Sequence, residues 1–350
     1  MRMKRIPALL LSVLLLWGLT ACVDDKQGVP HPGEAQSQSD DAQNEKEASD
    51  EESEIASGES ETAPAEQSTE VELLPQPQEM GVILRGDANA DTKSGLSPLP
   101  TVTYAVPDPN NERGLSTAKK EHSHGPASGG KAHYTVEAFQ DTFDAYGALT
   151  LDRTSTDKVL YLTFDCGWEY ENLTSRILDT LRDKQVPAAF FCTLDHIQKQ
   201  PDLIARMIRE GHIVGNHSDT HPSFPSISRT QMVKEIADTE NYLRSEFGYC
   251  AKFFRFPAGE YSESALDLVQ SMGYRSVFWS VAYNDWNVDN VQGASVALQT
   301  VTERLHPGAV ILLHAVSKDN ADALGDIIDA ARAQGYEFRA LSQYVPAFDE

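Results

Sequence analysis

The sequence is poor in positive charge. It has 29 Lys and Arg against 53 Asp and Glu, which gives a formal net charge of −24 over 350 residues. Proteins that bind nucleic acid neutralise phosphates with clusters of Lys and Arg, and no such cluster follows the first five residues. We therefore expect no nucleic-acid partner.

Long apolar runs are also scarce, and the longest stands near the N-terminus. Residues 6–19 follow the basic stretch MRMKR and are too few to span a bilayer comfortably, which is typical of an export signal. The run ends in LTAC, and small residues before Cys22 resemble the lipobox of bacterial lipoproteins, in which this cysteine is lipidated. We expect a signal peptide over 1–21 and a lipid anchor at the outer face of the bacterial cell membrane. An ordinary signal peptide is the alternative.

Apolar residues are rare between positions 22 and 132. Stretches such as SDDAQNEKEASDEESEIASGE are acidic and of low complexity, so they bury too little apolar surface to offset the entropy of ordering. The composition predicts a disordered tether over 22–132. His122 and His124 within it could contact a metal, but solvated linker histidines are the simpler interpretation.

The sequence pattern of residues 133–350 is typical of one folded domain. Seven apolar runs alternate with helical patterns, namely VLYLTF, PAAFFCT, HIVGN, KFFRFP, YRSVFWSV, AVILLH and YEFRAL. This alternation predicts an α/β fold with a parallel sheet or barrel. In such folds chemistry gathers at the C-terminal ends of the strands.

Reactive side chains follow five of these runs. In chain order they are Asp165 with Cys166, His217 with His221, Arg255, Asp285 with Trp286, and His314. Each has an ordinary structural interpretation when taken alone, such as a core histidine, a surface ion pair or a turn. Their shared position at one edge of the sheet favours a common site that includes a metal-binding histidine pair.

The motifs TFD, HSDTH, RFPAG, DW and LLH, in this order, resemble the five motifs of the polysaccharide deacetylase family, also called the NodB or carbohydrate esterase 4 family. The resemblance covers about residues 155–345. Stretches such as GNHSDTHP and SVFWSVAYNDW are most similar to the delta-lactam-biosynthetic de-N-acetylases, which act on muramic acid in peptidoglycan. The resemblance implies a distorted (β/α) barrel with about seven parallel strands.

The resemblance also implies a hydrolytic site for an N-acetyl group. His217 and His221 would hold a divalent cation, with Zn²⁺ the expected ion, that polarises the acetyl carbonyl and acidifies a water. Asp165 would be the general base. Arg255 would keep that carboxylate ionised and oriented.

The other motifs would serve the leaving amine and the sugar. By resemblance, His314 would be the general acid, and Asp285 would hydrogen-bond it and raise its pKa. Trp286 and Leu312 would form the wall around the acetyl methyl group and the sugar ring. Burial of these two side chains as plain core is the alternative.

Cys166 departs from the family pattern, in which most members have a second Asp that completes the metal ligands. Three alternatives stay open. The thiolate could be a ligand in a Cys-His-His site suited to Zn²⁺, or the side chain could merely fill space. It could also form a disulfide with Cys192, which export would permit.

The expected substrate is a peptidoglycan N-acetyl sugar, with muramic acid favoured over N-acetylglucosamine. Ala258 stands where the muramic-acid group often has an arginine that could bind the lactyl carboxylate. A deacetylase of another exported glycan, or a catalytically silent glycan-binding lipoprotein, are the alternatives. We expect a monomer.

Overall fold

The computed structural model describes residues 92–122, 125–155 and 157–344. The predicted signal peptide, the lipidation site at Cys22 and the tether as far as residue 91 lie outside the described residues. Within the described part of the chain, no helix combines the length and the apolar character needed to cross a membrane.

Seven of the strands form one curved sheet. The strands are β1 (Lys120–Glu121), β2 (Val159–Cys166), β3 (Ala188–Cys192), β4 (Ile213–Asn216), β5 (Phe253–Phe254), β6 (Glu260–Tyr261), β7 (Arg275–Ser276), β8 (Ala309–His314) and β9 (Glu337–Phe338). The sheet has the order β7-β5-β4-β3-β2-β8, β9 pairs with β2, and every pairing is parallel. The predicted α/β fold with about seven parallel strands is confirmed.

Helices connect these strands. They are α1 (Tyr134–Asp144), α2 (Leu173–Lys184), α3 (Leu194–Lys199), α4 (Pro201–Arg209), α5 (Arg229–Phe247), α6 (Glu263–Ser271), α7 (Ala294–Glu303) and α8 (Lys318–Ala333). Their apolar residues recur at helical spacing, as in α2, where Ile177, Leu178 and Leu181 are buried. Ser228 begins α5 by accepting a hydrogen bond from the N–H of Gln231.

Single bridges join the outer parts of the sheet. Leu149 pairs with Val277, just beyond β7, and Val281 pairs with Ile311 of β8. The sheet therefore curves round on itself, and its two edges approach each other. This curvature brings the C-terminal ends of strands that are distant in the sheet to one rim.

Side chains of β2 alternate between two cores. Tyr161 lies in the core inside the curved sheet, together with Phe191. Leu162, Phe164 and Cys166 lie in the core between the sheet and the helices. The two positions at the end of β2 therefore face opposite ways.

The sequence predicts a tether as far as residue 132, and the structure differs. Residues 92–122, here called the N-terminal strap, run along α5 and α6. The N–H groups of Lys93 and Leu99 donate to carbonyls of Glu246 and Arg244, at 3.0 and 2.9 Å. The prediction is wrong for the strap because its backbone finds partners on the helices rather than within itself.

Two side chains, Arg113 and His122, fix the C-terminal part of the strap. Arg113 pairs with Asp267 of α6 through Nη1 at 2.9 Å, and the same carboxylate accepts a hydrogen bond from Arg229 Nη2 at 3.0 Å. His122 is buried, with its Nε2 2.7 Å from the carbonyl oxygen of Trp279 and its ring 5.0 Å from that of Phe139. His122 is therefore a core residue, not a solvated linker histidine.

Candidate active site

The carboxylate of Asp165 lies at the end of β2 and forms an ion pair with Arg255. Arg255 Nη1 is 2.7 Å from Asp165 Oδ1, and the arginine is fully buried. Burial opposes ionisation of Asp165, but Arg255, together with His217 and His314, lowers the pKa of the carboxyl below its ordinary value. Asp165 is therefore held as a carboxylate.

Arg255 is fixed on several sides. Its Nε donates to the carbonyl of Val277 and its Nη2 to Thr163 Oγ1, each at 2.9 Å. Its guanidinium carbon lies 4.1 Å from the centroid of the Phe191 ring. That ring fits there because Gly215 of β4 has no side chain, and a Cβ at this position would lie 2.5 Å from the ring.

His217 and His221 lie next to this ion pair. His217 Nδ1 donates to the Arg255 carbonyl at 2.8 Å, and its Nε2 is 3.7 Å from Asp165 Oδ2. The centroids of the two imidazole rings are 4.8 Å apart. Burial lowers the pKa of His217 to about 4 and also lowers that of His221, so both rings are neutral at pH 7.

The turn between these histidines is strained and tied down. Ser218 and His221 have φ values of 70° and 58°, which side chains other than glycine rarely adopt. The His221 N–H donates to Ser218 Oγ at 3.0 Å. Glu235 of α5 accepts hydrogen bonds from both the N–H and the Oγ of Thr220, each at 2.8 Å. Sequence reasoning missed Glu235, because an acid within a helix usually faces solvent.

A second acid–histidine pair lies at the end of β8. Asp285 Oδ1 is 2.7 Å from His314 Nδ1, and Asp285 Oδ2 accepts the backbone N–H of His314 at 2.8 Å. Burial alone would lower the pKa of His314, but the Asp285 carboxylate outweighs it and raises that pKa. Asn320 of α8 donates to the same carboxylate. Asn320 is absent from the predicted site, although it lies in the C-terminal stretch that follows LLH.

Asp165, His217, His221 and His314 line one cleft of about 1070 Å³. Trp168 and Trp286 are 47% and 55% exposed on its sides, and the Trp286 ring lies 6.0 Å from that of His314. Leu312 lines the cleft and is nearly buried, so both structural and substrate-facing interpretations apply to it. Exposed aromatic rings beside a cleft are typical of surfaces that contact sugars and other ring-shaped ligands. Trp168 was not among the predicted residues.

Cys166 is not part of this cleft. It is fully buried in the core between sheet and helices, on the opposite face of β2 from Asp165. Burial and the neighbouring Cys192 raise the pKa of its thiol, and both thiols are free. The tentative assignment of Cys166 as a ligand beside His217 and His221 is therefore wrong, because one step along a strand reverses the direction of the side chain. The disulfide with Cys192 is likewise not formed.

The donor atoms of the cleft fit a divalent cation. The hydrogen bond from His217 Nδ1 to a backbone carbonyl fixes the tautomer and leaves the Nε2 lone pair for a metal. The neutral ring of His221 and the carboxylate of Asp165 line the same cleft. Imidazole nitrogen and carboxylate oxygen are ligands that Zn²⁺ and other divalent ions accept.

Comparison with known proteins gives related sequences and a related fold. The family model described as "Polysaccharide deacetylase" matches residues 152–277. The peptidoglycan-N-acetylmuramic acid deacetylase PdaA of Bacillus subtilis is 37% identical over 224 residues, which cover 64% of this chain and 82% of that protein. The peptidoglycan-N-acetylglucosamine deacetylase of Bacillus cereus is 34% identical over 188 residues, covering 51% of this chain and 66% of that protein. The solved structure of Bacillus subtilis PdaA, a family 4 carbohydrate esterase, matches with a TM-score of 0.62 at 34% identity, covering 66% of this chain and 98% of that one.

Proposed function

The chain belongs to the polysaccharide deacetylase family, whose members hydrolyse amide C–N bonds, and we propose that it is a metal-dependent de-N-acetylase of peptidoglycan. The favoured substrate is the N-acetyl group of muramic acid, the sugar in the name of Bacillus subtilis PdaA. N-Acetylglucosamine, the sugar in the name of the Bacillus cereus relative, is the second candidate.

One observation carries the proposal. Asp165 and His314 are direct neighbours in the parallel pairing of β2 with β8. Arg255 lowers the pKa of the first, and Asp285 raises the pKa of the second. A deprotonated carboxylate beside a protonated imidazole is the pair that amide hydrolysis needs as base and acid.

Asp165 is proposed to accept the proton of the attacking water. A divalent cation bound by His217 and His221 would supply polarisation of the acetyl carbonyl and a more acidic water. The ion pair with Arg255 keeps the carboxylate in one orientation, since the guanidinium is itself held by backbone and side-chain oxygens. The base is therefore positioned before substrate arrives.

His314 is proposed to protonate the departing amine. Its Nδ1–H donates to Asp285, which leaves Nε2 as the atom that carries the transferable proton. Asn320 holds Asp285 from the other side and so keeps the imidazole aimed into the cleft. The products are acetate and the free amino sugar.

Arg304 supports muramic acid as the substrate. Among the described residues that line the cleft it is the one arginine or lysine, and its Nη1 donates to the carbonyl of Ala282 at 2.6 Å. A muramic acid without a stem peptide carries a lactyl carboxylate, which a guanidinium binds well. Arg304 could therefore bind the lactyl carboxylate in place of the arginine that the muramic-acid group often has at the position of Ala258.

The N-terminal sequence supports export and anchoring. Lipidation of Cys22 would attach a monomeric enzyme to the outer face of the cell membrane, with peptidoglycan within reach of an acidic tether. Labelling of growing cells with a fatty-acid analogue tests this step, and a Cys22→Ala variant should lose the label and leave the membrane fraction.

Acetate release from purified peptidoglycan tests the activity. We expect release that stops with chelator and returns on adding Zn²⁺, and that falls at least about 10²-fold in Asp165→Asn. Asp326→Asn makes the same change on the exposed face of α8 and should act like the parent. Mass spectrometry of the digested glycan then identifies the deacetylated sugar.

Arg304→Met tests the choice of sugar. Loss of a charge-assisted hydrogen bond, about 1.5–3 kcal/mol, should lower kcat/KM on stem-free muramic acid by about 10- to 100-fold and leave N-acetylglucosamine substrates unaffected. Glycan binding without any metal-dependent acetate release would instead favour the silent binding protein.

A further inference from the structure

A second cluster of metal-ligand side chains lies on the other side of the sheet from the cleft. Cys166 of β2 pairs in register with Cys192 of β3, and His196 follows on α3. The two Sγ atoms and a ring nitrogen of His196 all lie within 4.8 Å of one another. All three residues are buried, with exposures of 0%, 0% and 1%.

His196 is the residue that points to a ligand. Both of its ring nitrogens are buried, and neither has a hydrogen-bond partner among the residues that the structure describes. Leaving a buried polar atom unpaired costs about 1–3 kcal/mol. Burial also lowers the pKa of His196 to about 4, so its ring is neutral and has a lone pair to give. Both thiols lie within 4.8 Å of a ring nitrogen of His196.

A disulfide would leave this histidine unexplained. Joining Cys166 to Cys192 would satisfy the sulfur atoms and leave both imidazole nitrogens without partners. A metal ion uses both sulfur atoms and one of the imidazole nitrogens at once. With metal–sulfur bonds of about 2.3 Å and metal–nitrogen bonds of about 2.0 Å, the ligand atoms would be roughly 3.5–4 Å apart. The cluster therefore needs only a small contraction.

We propose that Cys166, Cys192 and His196 form a buried site for a thiophilic d¹⁰ cation, Cu⁺ or Zn²⁺. Two thiolates and one imidazole are soft and borderline ligands, which select these ions over Mg²⁺ or Ca²⁺. Cu⁺ accepts three ligands. Zn²⁺ prefers four, and Glu169, three residues after Cys166 and with a buried Oε2 that also has no partner among the described residues, is a candidate for the fourth.

The bound ion would tie β2, β3 and α3 together directly beneath the catalytic rim. Asp165 precedes Cys166, so the cross-link would act on the backbone that carries the proposed base. The site shares no ligand with the cleft, so metal binding here can be measured separately from deacetylase activity.

Cobalt absorption tests the site in the full-length chain. A background with Cys22→Ala and Cys250→Ala leaves Cys166 and Cys192 as the only thiols, and His217→Ala with His221→Ala removes the two imidazoles proposed to bind a metal in the cleft. One equivalent of Co²⁺, used as a probe for Zn²⁺, should then give a thiolate-to-cobalt band in the near ultraviolet. The band should vanish in Cys166→Ala or Cys192→Ala. His196→Phe should weaken the affinity at least about tenfold.

A parallel titration with Cu⁺, against a colorimetric Cu⁺ chelator, shows which ion binds more tightly. Cys250→Ala alone is the matched control and should bind as the parent does. X-ray absorption of the loaded parent should show about two sulfur atoms and one nitrogen per ion, and it needs no substitution in the core.

Absence of thiolate-bound metal with either ion would overturn the proposal. So would rapid loss of both thiols to a disulfide in the metal-free chain, with no ion taken up after reduction. Neither result bears on acetate release, so failure of this site and failure of the proposed deacetylase activity are separate outcomes.

Discussion

At the scale of single residues, two neighbours at the rim have opposite electrostatic surroundings. Asp165 lies against Arg255, and His314 lies against Asp285. Both are largely buried, so each partner acts at short range and with little screening by water. The result is that the deprotonated form of Asp165 and the protonated form of His314 are each favoured in the same cleft.

Replacing Asp285 tests the second of these pairs. In Asp285→Asn the raising effect of the carboxylate disappears and burial remains, so the pKa of His314 falls. His314 then loses its proton at a lower pH, so the alkaline limb of the kcat profile should move to lower pH. At neutral pH kcat should fall about 10²- to 10⁴-fold.

The pH profile separates this role from simple support of the fold. Asp319→Asn, a buried acid at the start of α8, is the comparison variant and should keep the alkaline limb of the parent. An unchanged limb in Asp285→Asn would contradict the assignment of His314 as the acid.

The positions of the side chains at the strand ends could be predicted because functional residues in parallel sheets collect there and the motifs are specific. The direction of Cys166 could also have been predicted from strict alternation, since Asp165 precedes it. Glu235 and Asn320 could not, because they act from helices that only the tertiary fold brings to the rim. The periodicity of a helix shows which of its faces is apolar, but it does not show which other elements the helix contacts.

At the scale of elements, the rim depends on close packing between β3 and β4. The Phe191 ring lies under Arg255 and against the bare backbone of Gly215. A Cβ at Gly215 would displace the ring, and the ring packs against the arginine that pairs with Asp165. Packing inside the barrel and the position of Asp165 are therefore coupled.

Gly215→Ala tests this coupling. The new Cβ would lie 2.5 Å from an atom of the fully buried Phe191 ring. We expect a loss of about 1–3 kcal/mol in the free energy of unfolding, measured by denaturant titration. In Gly325→Ala the new Cβ meets Lys184 at an ordinary 3.7 Å, and helix α8 should gain about 0.5–1 kcal/mol. Equal stability of the two variants would show that the ring can move.

The turn that carries His221 depends in the same way on α5. Glu235→Ala removes the acceptor for both Thr220 hydrogen bonds, and the strained turn loses its main restraint. We expect the metal concentration for half-maximal acetate release to rise about 10- to 100-fold. Asp238→Ala, on the exposed side of the same helix, should leave it unchanged. A shared response of both variants would indicate a general effect of charge.

At the scale of the whole molecule, the folded unit is larger than its composition indicates. The N-terminal strap is polar and has no long helix, so its sequence resembles the tether before it. Its order comes from α5 and α6, which supply the partners for its backbone and for Arg113. Contacts of this kind leave no periodic signal in the strap itself.

Shortened chains test the boundary. A chain that begins at residue 92 should melt as the parent domain does. A chain that begins at residue 133 lacks His122, which fills a site among aromatic rings, and should lose at least about 2 kcal/mol of stability. Thermal unfolding followed by circular dichroism measures the difference. Identical melting of the two chains would mean that the strap adds nothing to stability.

The path of the strap also determines which part of the domain the upstream chain is joined to. The strap meets the last turn of α5 at Lys93 and reaches the cleft rim only at His122, beside Gly259. The strap therefore begins against the C-terminal end of α5, and none of its residues lines the cleft. A pull on the chain before Thr92 would therefore act first on the contacts between the strap and α5, and not on the residues that line the cleft.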